Sequence, residues 1–161
     1  MNYSFDVTGL IHFLSAIVAM ATGMVVILMK KGTKLHVKIG YSYVLSMAVL
    51  NISALLIYDL FGGFGPFHFM ALISFTTVIA GLIPALLKKP EKKWLEMHYE
   101  FMLWSVIGLY AAFWSETFTR FFRFSGFWTL VGIATLATVL IGAILLKMKK
   151  AKILARFSKE N

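Results

Sequence analysis

The chain of 161 residues has no cysteine, which excludes disulfides, thiolate zinc sites, iron–sulfur clusters and covalent c-type haem attachment. Charge is scarce too. Charged residues make up 14% of the chain, against about 25% in a soluble domain, so there is too little polar surface to cover a water-facing globule. Proline occurs only three times, so long helices can run with few interruptions. There is no low-complexity segment and no stretch polar enough to form a separate soluble domain.

What is present is apolar. Hydrophobic residues reach 60% of the chain, and five long apolar stretches carry most of them. These stretches, 7–29, 39–60, 66–87, 94–115 and 124–146, each hold about 20 residues or more, enough to cross a hydrocarbon core of about 30 Å. The segment Met1 to Asp6 before the first has no Lys or Arg, and the stretch itself is too long for a signal-peptide core. It is expected to be a retained helix.

The net charge of +9 is explained by where the cations lie. Lys30, Lys31, Lys34 and Lys38 follow the first stretch, and Lys88, Lys89, Lys92 and Lys93 follow the third. Lys147, Lys149, Lys150, Lys152, Arg156 and Lys159 follow the fifth. If the stretches alternate in direction, all of these fall on one side, and only Arg120 and Arg123 on the other. The positive-inside rule then predicts an outer N-terminus and a basic cytoplasmic tail, 147–161. The surplus is a topology signal that also attracts anionic lipid, and it gives no reason to expect a nucleic-acid partner. Short turns, Phe61 to Pro66 and Lys88 to Glu91, join neighbouring stretches. The expected fold is therefore an all-α membrane protein: a four-helix up-down transmembrane bundle plus a fifth, peripheral transmembrane helix. Pro84 is expected to kink or end the third helix.

Each of the first four helices carries one histidine near its N-terminal end: His12, His36, His68 and His98. Alternating directions put His12 and His68 near the outer face and His36 and His98 near the inner face. Helices one and three are diagonal in an up-down bundle, as are two and four. Each pair can thus offer two neutral imidazoles to one porphyrin iron, and the positive end of the helix dipole favours neutrality. Small residues at Ser15, Ala19 and Gly23 share a stripe with His12 and could make room for a flat ring, or could line an ordinary helix contact. Arg120 and Arg123 are candidate partners for the propionates of the outer haem. The leading expectation is a b-type cytochrome with two bis-histidine haems carrying electrons across the plasma membrane, with a quinone or another redox protein as partner.

The outer end also collects Asp59, Glu116 and Arg120. Glu116 lies 18 residues after His98, five full turns along the same helix face, and Arg120 follows at the ion-pairing spacing. This group could be a substrate or proton site, or a capped helix end with a salt bridge. With His12 and His68 it could hold zinc, so a zinc-dependent membrane hydrolase is the alternative. A cofactor-free membrane subunit or transporter is the third reading. Glu96 and Glu100 fall on the opposite side of their helix from His98 and are expected to be interfacial or paired with lysine. Tyr41 and Tyr43 are expected in the aromatic belt.

Three motifs carry a family resemblance: Lys34-Leu35-His36-Val37-Lys38-Ile39-Gly40-Tyr41, Tyr58-Asp59-Leu60-Phe61-Gly62-Gly63-Phe64-Gly65-Pro66-Phe67-His68, and Trp94-Leu95-Glu96-Met97-His98-Tyr99-Glu100, continuing to Glu116 and Arg120. Together they resemble the bacterial membrane-protein family catalogued as domain of unknown function 2306, over roughly residues 8 to 146. That resemblance implies an integral protein of the bacterial plasma membrane and brings no established activity. The paired-histidine layout is similar, more distantly, to the cytochrome b561 type of two-haem membrane protein.

Overall fold

A computed structural model describes the backbone of residues 6–58, 62–91, 93–121 and 126–160, and side chains over the same residues except 120, 121 and 151–160. Among the described residues there are five helices and no strand: α1 (Val7–Leu28), α2 (Lys34–Leu55), α3 (Pro66–Leu87), α4 (Trp94–Phe121) and α5 (Phe127–Glu160). They fall into two compact units, Met1–Val78 and Ile79–Asn161, divided within α3.

Local chemistry sets the helix ends. Asp6 caps α1, its carboxylate accepting from the backbone N–H of Thr8 (3.0 Å) and of Gly9 (3.3 Å). At the other end Lys31 folds its ammonium back over the carbonyls of Val26, Ile27 and Met29, groups that have no partner within the helix. Thr33 then caps α2, its hydroxyl accepting from the His36 N–H at 3.0 Å. This cap corrects the expected span 39–60. The helix runs Lys34–Leu55, because a cap starts a helix wherever its donors are satisfied, and apolar content does not register the polar first turn. Likewise α4 continues past residue 115 to Phe121, and α5 starts at Phe127 and continues past 146 to Glu160, so the basic tail is helical. Pro84 lies inside α3, which continues past it to Leu87 rather than ending there.

In the first unit α1 packs along α2. The buried residues of α1 are Ser15, Ala19 and Gly23; those of α2 include Tyr43, Ser46, Met47 and Leu50. His12 on α1 reaches Ser53 on α2, which sets an antiparallel register and brings the small stripe level with the larger buried side chains of α2. The stripe is thus a helix-packing surface. Tyr43, at 1% exposure, is a core residue and not part of an aromatic belt, whereas Tyr41 is exposed.

In the second unit α4 and α5 run antiparallel and are keyed together at three levels. Ser115 meets Thr135, hydroxyl to hydroxyl, at 3.2 Å. Ile107 lies over Gly142, where a Cβ would come within 2.5 Å of Ile107 Cγ1 and 2.9 Å of Cγ2. Lys150 pairs with Glu96 at 2.6 Å and Glu100 at 2.5 Å. The three contacts share one register, two turns apart on each helix. The expected pairing of both glutamates with lysine holds, and its partner comes from the far end of the chain.

Most large apolar side chains outside these seams, such as Leu10, Phe13, Leu45, Ile73 and Ile141, are exposed. That is how a helix looks when lipid covers it. The segments Val7–Leu28, Lys34–Leu55, Pro66–Leu87 and Phe127–Lys150 are long and apolar enough to cross a membrane. Helix α4 is not among them. Glu96, Glu100 and Glu116 dilute its apolar content, although residues 101–115 between them carry no charge.

Candidate haem-ligand histidines

The structure brings His12 and His68 to the same end of the first unit. His12, half-buried, is level with Ser53 in the last turn of α2, and His68 stacks on Tyr58, just beyond that helix. His36 lies in the first turn of α2, about 25 Å away along the axis at 1.5 Å per residue. His98 belongs to the second unit, at the end of α4 that also carries Glu96 and Glu100.

The hydrogen bonds at Nδ1 assign tautomers to three of the rings. The Ser53 hydroxyl donates its one proton to the Leu50 carbonyl at 2.9 Å, so its oxygen accepts from His12 Nδ1–H at 3.2 Å. Nε2 of His12 is then the lone-pair nitrogen. His98 Nδ1–H donates to the Gly81 carbonyl at 2.8 Å, which again makes Nε2 the lone-pair nitrogen. This is the tautomer of a metal-ligating histidine, in which one ring nitrogen donates to a protein oxygen and the lone pair lies on the other. His68 is the reverse. Its Nδ1 accepts from the Gly65 N–H at 3.0 Å, so Nε2 carries the proton and presents a donor. As placed, His68 offers no lone pair at Nε2 to a metal.

One residue beside His98 carries weight that sequence reasoning missed. Gly81 supplies the carbonyl that orients the ring. It also lets α4 approach closely: a Cβ there would lie 2.8 Å from Met102 Sδ and 3.0 Å from the Met102 backbone nitrogen. Its place three residues before Pro84, a feature that bends helices and loosens their carbonyls, was the available signal.

Of the other expected site residues, Glu116 is exposed on α4. Asp59 and Arg123 lie outside the described residues, as does the side chain of Arg120. Among the described residues, no three His, Cys, Asp or Glu side chains come together as a metal site needs; Asp59, a member of the expected zinc cluster, is not one of those residues.

Apolar helices of spanning length, side chains turned outward from the seams and no strand among the described residues define an all-α membrane protein. The chain belongs to the family described as "Predicted membrane protein (DUF2306)", whose model matches residues 9–152. Comparison with curated proteins and with solved structures gives no match.

Proposed function

We propose that this chain is a haem-b-binding electron carrier of the plasma membrane, with iron held through imidazole Nε2. The observation that carries the reading is the Nδ1–H bond of His98 to the Gly81 carbonyl, which fixes the ring in the ligating tautomer. His12, held likewise by Ser53, is a further ligand. His36 is the expected second ligand with His98, on the depth pairing that the sequence suggests. His68 is left out of the ligand set, because iron at its Nε2 would have to displace a proton that the Gly65 bond keeps there. Haem, when bound, supplies one-electron chemistry. The chain's own residues would orient the rings, exclude water and neutralise propionates, for which Arg120 and Arg123 remain the candidates that the sequence suggests.

The charge distribution supports an outer N-terminus and an inner C-terminus in a bacterial plasma membrane. In this reading α4 also crosses, since its uncharged stretch runs antiparallel against α5, a helix of spanning length. A reporter fused after Asn161 should be active in its cytoplasmic form only. Activity of a periplasmic reporter at that position would reverse every depth assigned to the histidines.

The test of function is an optical spectrum of the protein purified after haem-replete expression. A Soret band with a reduced α-band, and pyridine-haem content of at least one per chain, is the expected result. Absence of any visible absorption rejects the reading.

A further inference from the structure

His68 is 4% exposed, and its Nε2 is buried with no hydrogen-bond partner among the described residues. The ring is firmly held. Nδ1 takes the Gly65 N–H, Tyr58 stacks on the imidazole at 4.8 Å and 29°, and Phe64 stacks on it at 4.8 Å and 27°. A buried donor without an acceptor is costly, and folded proteins seldom carry one without a use for it. The ring cannot escape the cost by changing tautomer, since moving the proton to Nδ1 would set it against the Gly65 N–H. The missing group is therefore an acceptor and not a metal, which would need the lone pair.

The surroundings narrow the acceptor. The stacked rings of Tyr58 and Phe64 put apolar surface beside the imidazole, and burying an unpaired anion against such surface is costly. They suit a flat or apolar molecule with one uncharged oxygen. Tyr58 and Phe64 are themselves 44% and 54% exposed, so the wall around His68 is made of side chains that a molecule arriving from the membrane can displace. We propose that His68 Nε2–H is the hydrogen-bond donor of a binding site for the carbonyl oxygen of a lipid-soluble molecule, either the ring carbonyl of a quinone or the ester carbonyl of a phospholipid. The quinone source rests on the electron-carrier reading, in which it is the redox partner at this end of the molecule; the donor itself does not rest on it.

The experiment uses the full chain in nanodiscs of one defined phospholipid, as wild type and as His68→Phe, which keeps a stacking ring and removes the donor. The probe is a short-chain ubiquinone, with bound lipid measured by mass spectrometry and haem by absorbance in the same samples. A second measurement needs no variant: nitrogen NMR of histidine-labelled wild type, in which one ring should show an unprotonated Nδ1 and a protonated Nε2 that shifts on adding the quinone. Quinone affinity lower by roughly tenfold or more in His68→Phe, with that shift, supports the quinone source. Loss of a tightly held phospholipid in His68→Phe, with no quinone effect, supports the lipid source. Equal quinone affinity and equal lipid in both proteins overturns the proposal. So does loss of haem in His68→Phe, which would make His68 an iron ligand. A haem-free protein with His68-dependent quinone or lipid binding keeps this proposal and rejects the electron-carrier reading.

Discussion

On the proposed haem-carrier function, replacing His98 by alanine should remove the haem assigned to it, lowering pyridine-haem per chain by at least half. The effect is large because an axial imidazole is a covalent partner of iron, and no other histidine of the second unit can replace it. Added imidazole should restore the lost absorbance, which separates loss of a ligand from loss of fold. Gly81→Ala should act on the same site without touching iron. Its new Cβ meets Met102 at 2.8 Å and 3.0 Å, and the second of these contacts is backbone, which cannot step aside. Helix α4 must move, and the 2.8 Å bond from His98 Nδ1 to the Gly81 carbonyl must lengthen. Removing such an orienting partner costs about 10–100-fold in affinity at comparable metal sites. Haem titration of the apo-protein measures it. Unchanged haem content in His98→Ala would sink the assignment.

Gly142→Leu should separate α4 from α5. The position has no room even for a methyl group, because Ile107 Cγ1, Cδ1 and Cγ2 all lie within 3 Å of where a Cβ would stand. Ile107 is β-branched, so Cγ2 cannot be swung away without driving another branch into the gap. Overpacking of this kind costs about 1–3 kcal/mol, and leucine at a helix seam belongs at the upper end. Thermal unfolding in detergent should show a clear fall in midpoint. Gly132→Leu, on the same helix with nothing within 4 Å of its Cβ, should leave the midpoint nearly unchanged. Equal behaviour of the two variants would reject the seam.

The helices themselves were legible because lipid solvation writes them into the sequence as long apolar runs. Helix α3 lies within its expected limits, 66–87, and α1 differs by one residue. Boundaries went wrong where a polar group decides them. Thr33 starts α2 five residues before the apolar run, and the basic tail continues α5 because nothing in it breaks a helix. At the site, the shared end of His12 and His68 and the distance of His36 from them were readable from spacing. The tautomers of His12, His68 and His98 were not, since those depend on Ser53, Gly65 and Gly81, residues 41, 3 and 17 positions away. The role of the His12 stripe was also hidden: small residues look the same whether they face a porphyrin or Tyr43, Met47 and Leu50.

The seam between α4 and α5 restricts how this part of the molecule can move. Sliding α5 by one residue means an advance of about 1.5 Å with a turn of about 100°. Such a step takes Thr135 from Ser115, drives a side chain into the Gly142 notch and pulls Lys150 off Glu96 and Glu100 together. Because the notch accepts only glycine, no neighbouring register offers a second resting place. Piston and screw motions are therefore closed to this pair, and what remains is tilting of the two helices as one rod. Any signal passed along it arrives at both ends in phase.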